Sequence, residues 1–528
     1  MTLKTKAKPE RNDGKPTVKA ARSSLIPMTG KEYLASLDDD REVWIYGQRV
    51  KNIAEHPAFR NSARMIARFY DAMHDEAKKD IICTETEWGG YTHRYFRAPK
   101  TAEEQLASRD AVAESQRITY GWMGRSPDYK GSFLATLGAN YHYYRGYEEN
   151  AKRWYRKAQE RTWYINHAIM NPPVDRNKPT ADTSDVYVRV SKETDAGIFV
   201  SGAKVVATNS ALTNFTFVAH AGQIPIKDPA YAPVFIVPTG APGVKMISRV
   251  SNEQRAAVLG SPFDYPLSSR MDENDAVLVL DNVFVPWEDV FMHANVEQAN
   301  DFAPGSGFNA RAAMHGCTRL AVKLDFICGV LAKALEITGT STFHGVQSRF
   351  GEVIAWRNTM WGLSDAMAKS TIPWNGMVQP DSRFGTAYRT ISQIAYPAIK
   401  QIIEASVTSG LIYLNSHADD FKVPELRAHM DRYLRGSGGV DAEGRVKVMK
   451  LLWDCVGTEF GGRSELYEIN YLGSNDLTRL QNLWESYSLG EMTRMKDMVD
   501  RCMSEYDLNG WTVPDLINND DVSVLRRK

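Results

Sequence analysis

Ala168-Ile169-Met170-Asn171-Pro172-Pro173 is where the chain changes texture. Two successive prolines remove two amide donors and push the residue before them out of helical geometry, so no helix crosses this point. Short runs rich in β-branched and aromatic residues follow, at 186–190, 198–208, 215–219, 234–237, 244–250 and 276–285. Polar turns with Gly, Pro, Asp or Asn separate most of them, which predicts a compact β-barrel or a double sheet.

Both flanks read differently. Upstream, Phe59, Ala63, Ile66, Ala67 and Tyr70 recur at helical spacing, and 102–120 carries few breakers. Downstream of Pro304, the runs 320–337, 346–367, 388–414, 445–456 and 476–506 have long periodic apolar patterns, long enough for a bundle. The expected fold is α+β, in four parts. Residues 1–27, rich in Lys, Arg and Pro, form a disordered arm. Residues 28–167 form an N-terminal helical domain, 168–295 a central β domain, and 296–528 a C-terminal helical bundle and tail.

A chain of 528 residues buries a large core and is expected to form more than one folding region. Lys plus Arg equals Asp plus Glu, at 64 each, which argues against nucleic acid or an anionic membrane as the main partner. No apolar run approaches a bilayer span, and no signal-peptide core appears. The five cysteines, Cys83, Cys317, Cys328, Cys455 and Cys502, include no Cys-x-x-Cys pair. That fits reduced thiols in the cytoplasm and speaks against a zinc or iron–sulfur site. No Gly-x-Gly-x-x-Gly follows a strand, so no nicotinamide site is expected. Arg435-Gly436-Ser437-Gly438-Gly439 reads as a link between helices.

The chemistry concentrates in Gly124-Arg125-Ser126-Pro127-Asp128-Tyr129 and Asn166-His167. Arg is a permanent cation with a planar fork of donors, Tyr offers one rigid hydroxyl, and His titrates near neutrality. Together they suit holding a small phenol and taking its proton. The plainer reading makes Ser-Pro-Asp-Tyr an ordinary turn and His167 a satisfied helix residue.

An ordered set of further motifs favours the chemical reading. Met28-Thr29-Gly30-Lys31-Glu32-Tyr33-Leu34, His56-Pro57-Ala58-Phe59-Arg60-Asn61, Gly89-Gly90-Tyr91-Thr92-His93, Ala207-Thr208-Asn209-Ser210-Ala211-Leu212-Thr213, Tyr265-Pro266-Leu267-Ser268-Ser269-Arg270, Glu459-Phe460-Gly461-Gly462-Arg463 and Asn509-Gly510-Trp511-Thr512-Val513-Pro514 occur in this order. Over 28–521 the chain resembles the family of 4-hydroxyphenylacetate 3-monooxygenase oxygenase components. The resemblance implies an acyl-CoA dehydrogenase-like fold. It implies reduced FAD delivered by a separate NAD(P)H:flavin reductase, reaction with molecular oxygen to a flavin C4a-hydroperoxide, and hydroxylation of a phenol ortho to its hydroxyl.

By the same resemblance, Arg125, Tyr129 and His167 contact the phenol oxygen, and Ser210 and His293 lie beside the substrate. The flavin is expected against His167, Asn171, Pro173, Asp175, Arg176, Thr208, Asn209, Ser210, Gly461, Gly462 and Arg463. No metal is expected. The family pattern implies a homotetramer, with 509–514 reaching a neighbouring subunit, and a pocket cover at 221–228. Where family members often carry Tyr, this chain has His293. A histidine near this position is reminiscent of chlorophenol and nitrophenol hydroxylases, so other para-substituted phenols, including tyrosine- and coumarate-like ones, stay open as substrates. An acyl-CoA dehydrogenase-like lyase or dehydrogenase would need a glutamate base and a CoA site, which Arg, Tyr and His give no reason to expect. The intact motifs argue against a non-catalytic scaffold.

Overall fold

The structure is a computed structural model that describes residues 25–175, 177–178, 180–183, 185–220 and 225–513. The arm at 1–24, Arg176, the stretch 221–224 of the expected pocket cover, and Pro514 lie outside the described residues.

Among the described residues, six helices precede the break at Asn171: α1 (Gly30–Ala35), α2 (Arg60–Ala72), α3 (Glu76–Ile82), α4 (Ala102–Arg117), α5 (Pro127–Ala139) and α6 (Glu148–Arg161). Long helices follow the β region: α7 (Phe308–Ile337), α8 (His344–Lys369), α9 (Ser382–Val407), α10 (Ala442–Val456), α11 (Glu459–Asn470), α12 (Asn475–Ser488) and α13 (Glu491–Met503). The helix–β–helix order is the one expected. The run 476–506 is interrupted at Gly490, whose φ of 68° suits glycine and ends α12.

The β region takes the double-sheet form. Six strands, β1 (Glu42–Ile45), β2 (Gln48–Arg49), β6 (Arg189–Thr194), β7 (Gly197–Lys204), β10 (Val244–Ser248) and β11 (Ala276–Pro286), pair in the order β2-β1-β10-β11-β7-β6. A second sheet runs β12-β9-β8-β5, from β12 (Val290–Met292), β9 (Val234–Pro238), β8 (Phe215–Val218) and β5 (Ile165–Ala168). A hairpin of β3 (Cys83–Glu85) and β4 (Tyr91–His93) stands apart.

Two details depart from the expectation. β1 comes from the N-terminal helical region, yet pairs in parallel with β10, Val43 opposite Met246. Its alternation of buried Val43 and Ile45 with exposed Trp44 is too brief to stand out as a period-2 pattern. His167 lies in a strand, β5, rather than a helix, and β5 begins before the expected boundary at 168. Pairing with β8, His167 opposite Phe217, fixes which face of the sheet it occupies.

α5 starts with Pro127 in its first turn, where a missing amide costs nothing. It is buried on nearly every side, so it is a core helix rather than a surface one. Next to it, His93 is buried. Its Nδ1 accepts from the Tyr95 amide at 3.1 Å and its Nε2 lies 2.9 Å from Ser115 Oγ. Burial lowers its pKa to about 4. Between pH 6.5 and 4 the unfolded chain therefore binds a proton that the native chain refuses, and stability falls as pH falls. His93→Asn, which keeps a capping oxygen, is expected to flatten this dependence. Thermal midpoints of both proteins at pH 7 and pH 4.5 check it.

Candidate active site

Arg125 sits in the turn before α5 and is 4% exposed. Its Nη1 donates to the Tyr467 hydroxyl at 2.6 Å, and its Nη2 to the Tyr471 carbonyl at 3.3 Å. Gly124 makes this approach possible, because a Cβ there would overlap the Tyr467 hydroxyl. The guanidinium lies 4.2 Å from the centroid of the Tyr129 ring, a cation–π distance. The Tyr129 and His167 ring centroids are 5.5 Å apart. Arg125, Tyr129 and His167, 42 residues apart in sequence at most, thus share one buried site.

The Tyr129 hydroxyl and His167 Nε2 have no hydrogen-bond partner among the described residues. His167 Nδ1 is held, 3.1 Å from Nζ of Lys130. Burial first, then the charges of Lys130 and Arg125, hold the His167 pKa well below the usual histidine range. Its imidazole is neutral at neutral pH and keeps a lone pair. Burial and then Arg125 likewise hold Lys130 well below the usual lysine range, against the opposing pull of Glu273 and Asp128.

The loop after β7 and the segment before β11 join the same site. Glu273 Oε1 accepts from the Arg125 amide at 2.5 Å and from Asn209 Nδ2 at 3.4 Å. The Tyr164 hydroxyl donates to the Arg125 carbonyl at 2.5 Å and accepts from Asn209 Nδ2 at 3.0 Å. Asn209 adopts φ 62°, which asparagine tolerates better than most residues. Thr208 Oγ1 donates to Asp275 Oδ1 at 2.6 Å, and the Tyr471 hydroxyl to the same oxygen at 2.8 Å. Arg463, at the start of the second turn of α11, reaches Asp275 at 3.0 Å and Glu273 at 3.3 Å. Arg463 and Arg249 hold Asp275 far below the usual carboxylate range, against its burial.

The other expected cofactor residues are spread around this centre. Asn171 Oδ1 accepts from buried Lys204 at 2.8 Å, and burial lowers the Lys204 pKa to about 7. Pro173 and Asp175 lie on exposed loop, Asp175 paired with Lys178 at 3.0 Å. Gly461 and Gly462 spend their amides inside the helix, on Thr458 Oγ1 at 3.2 Å and the Thr458 carbonyl at 2.9 Å. Gly461 is needed for packing, since a Cβ would press on the backbone at Cys455. Gly462 faces open space. His293 is set apart from the Arg125 centre. It pairs with Glu193 at 2.9 Å and stacks edge-on to Trp287, just past β12, three strands across the sheet from His167. At ~4.8 Å per strand that is roughly 14 Å.

Several buried polar groups between these elements are unspent. Asn209 Oδ1, Ser210 Oγ, Thr216 Oγ1 and both side-chain polar atoms of Asn166 are buried without partners. Buried polar atoms without partners are costly and uncommon, so five in neighbouring strands and loops point to a ligand or water that completes them.

Residues 29–292 match the family described as 4-hydroxyphenylacetate 3-hydroxylase N terminal, and 299–503 match its C terminal counterpart. The chain belongs to the 4-hydroxyphenylacetate 3-hydroxylase family. It is 54% identical to the 4-nitrophenol 2-monooxygenase oxygenase component of Rhodococcus sp, over 96% of this chain and 97% of the relative. It is 52% identical to the 4-hydroxyphenylacetate 3-monooxygenase oxygenase component of Escherichia coli, over 95% of this chain and 98% of the relative. A crystal structure of a 4-hydroxyphenylacetate 3-monooxygenase oxygenase component complexed with FAD and 4-hydroxyphenylacetate superposes with a TM-score of 0.84, at 31% identity, covering 90% of this chain and 99% of that one. A 4-hydroxybutyryl-CoA dehydratase from N. maritimus, at 19% identity and TM-score 0.78, shares the fold. This hydroxylase is an oxygenase component of a monooxygenase.

Sequence reasoning missed Lys130, Glu273, Asp275, Tyr467 and Tyr471. The acidic run Asp272-Glu273-Asn274-Asp275 directly after the Tyr265–Arg270 motif was the available signal for two of them. Nothing in the local pattern marks Lys130 or the tyrosines.

Proposed function

We propose that this hydroxylase, with reduced FAD and oxygen, converts 4-hydroxyphenylacetate to 3,4-dihydroxyphenylacetate. The observation that carries this reading is the unpartnered Tyr129 hydroxyl and His167 Nε2 beside buried Arg125. These are three groups that together bind a phenol oxygen and accept its proton. Reduced flavin and oxygen supply the electrophilic oxygen atom. The chain's residues prepare the phenol to receive it. Tyr129 donates to the phenol oxygen, Arg125 stabilises the phenolate, and neutral His167 takes the proton. The buried setting excludes water and strengthens each of these interactions. Thr208, Asn209, Ser210, Asn171 and Arg463 would hold the flavin.

The para substituent is the open choice, because relatives at 54% and 52% identity are named for 4-nitrophenol and for 4-hydroxyphenylacetate respectively. A panel of para-substituted phenols, assayed with a flavin reductase, FAD and air, tests the reading. Catechol formed fastest from 4-hydroxyphenylacetate supports it, and a preference for 4-nitrophenol moves the substrate. A separate NAD(P)H:flavin reductase is the expected partner, and the cytoplasm the expected compartment. None of the described helices is long and apolar enough to cross a membrane.

Arg125→Ala is expected to weaken phenol binding ~10–100-fold, the size of a lost charge-assisted hydrogen bond. Consumption of reduced flavin by oxygen should persist. Equilibrium binding of the phenol beside oxygen uptake checks both halves. A homotetramer is also expected, because α12 and α13 expose Leu483, Trp484, Tyr487, Met498 and Val499 to solvent. Light scattering that returns a monomer at micromolar concentration would count against it.

A further inference from the structure

Lys130 follows Tyr129 on α5, is 1% exposed, and points its Nζ at His167 Nδ1 across 3.1 Å. No acidic side chain pairs with it among the described residues. The charged and titratable groups around the pair are Arg125, Asp128, Tyr129 and Glu273. Asp128 is already committed to Ser126, Gln116 and His315, and Glu273 to Arg125, Asn209 and Arg463. A lysine placed there for charge would have been given a carboxylate partner, because an isolated buried ammonium is expensive. This one has an imidazole.

We propose that Lys130 is the positioning and relay residue that makes His167 a base: the phenol proton passes to His167 Nε2 while the Nδ1 proton passes to Lys130 Nζ. The inference rests on the functional reading above. In the resting pair the neutral amine accepts from Nδ1–H, which leaves the Nε2 lone pair free. The phenol O–H bond breaks as Nε2–H forms, and Nδ1–H breaks as a third Nζ–H forms. The products are a phenolate, a neutral imidazole with its proton on Nε2, and an ammonium. The ring regains aromaticity by losing its ortho C–H proton to solvent, and the ammonium returns its proton to the phenol oxygen by the reverse path. Burial and the field of Arg125 push Lys130 toward the neutral amine, the form that can accept a proton. A permanent cation at this position would do the opposite. It would donate to Nδ1, place the histidine proton on Nε2, and turn His167 from acceptor into donor.

The test compares Lys130→Met, Lys130→Arg and His167→Ala in the full chain with reductase, FAD and a para-substituted phenol. The readouts are catechol formed per reduced flavin consumed, from pH 6 to 10, and KM for the phenol. The relay predicts that both Lys130 variants lose ~10²-fold in catechol formation near neutrality, with KM little changed. Both should recover as pH approaches the phenol's own pKa, which a merely structural defect would not do. Absorbance of bound 4-nitrophenol, whose ionised form is coloured, should show its apparent pKa raised by about one unit in Lys130→Met, which removes the acceptor without adding charge. Lys130→Arg behaving like the wild type would overturn the relay, because a cation alone would then suffice. So would an unchanged pH profile in Lys130→Met. If His167→Ala is impaired while both Lys130 variants are normal, only the relay fails. If His167→Ala hydroxylates normally, the reading of the site fails with it.

Discussion

His167→Ala is expected to consume reduced flavin and oxygen at near the normal rate while releasing hydrogen peroxide in place of catechol. Arg125 and Tyr129 still bind the phenol, but no acceptor remains for its proton. Loss of a general base typically costs ~10²–10⁴ in rate, and the activated oxygen is lost to peroxide in that time. Raising the pH should restore part of the yield, because more phenol arrives already ionised. The recovery should be larger for 4-nitrophenol, the more acidic phenol, than for 4-hydroxyphenylacetate. Oxygen uptake, peroxide release and catechol yield, measured in parallel, settle it. Normal catechol yield in His167→Ala, with uncoupling in His293→Ala, would move the base to His293, despite the separation that the sheet imposes between them.

Glu468→Ala is expected to be the most destabilising single change near the site. Glu468, on α11, is fully buried and accepts from Arg319 at 2.6 Å and Lys323 at 3.0 Å, both on α7. These two cations, against the cost of its burial, lower its pKa to about 2. Removing the carboxylate strands two buried cations, a loss of ~3–5 kcal/mol. Changing all three residues to methionine should recover most of that, because uncompensated charge is what costs. The wild-type contribution is fully present above pH 4.5 and is lost as pH falls toward 2. The defect should also reach the phenol. Arg319 and Arg125 lie 5.0 and 4.9 Å from the centroid of the Tyr467 ring, on which Arg125 depends for its Nη1 partner. Urea midpoints and phenol affinity, measured on the same variants, check both effects. An unchanged midpoint in Glu468→Ala would remove Glu468 from the core's supports.

The order of helices, sheets and helices was legible in the chain because each rests on local signals. Pro172-Pro173 bars any helix from crossing that point, although α6 already ends at Arg161, and the long periodic runs after Pro304 are helical by spacing alone. The residue types at Arg125, Tyr129 and His167 could be read as phenol chemistry, and the motifs around them carried the family. Local patterns could not show that 42–45 crosses into the central sheet, or that His167 lies on a strand, because strand pairing is decided by distant partners, Met246 for Val43 and Phe217 for His167. Nor could they show Lys130 behind His167, Glu273 and Asp275 joining Arg125, Thr208 and Arg463, or Tyr467 under Arg125. Periodicity identifies which face of an element is buried. Which buried charge meets which is fixed only when the elements pack, since an unpaired charge in a dry core costs more than any local preference can offset.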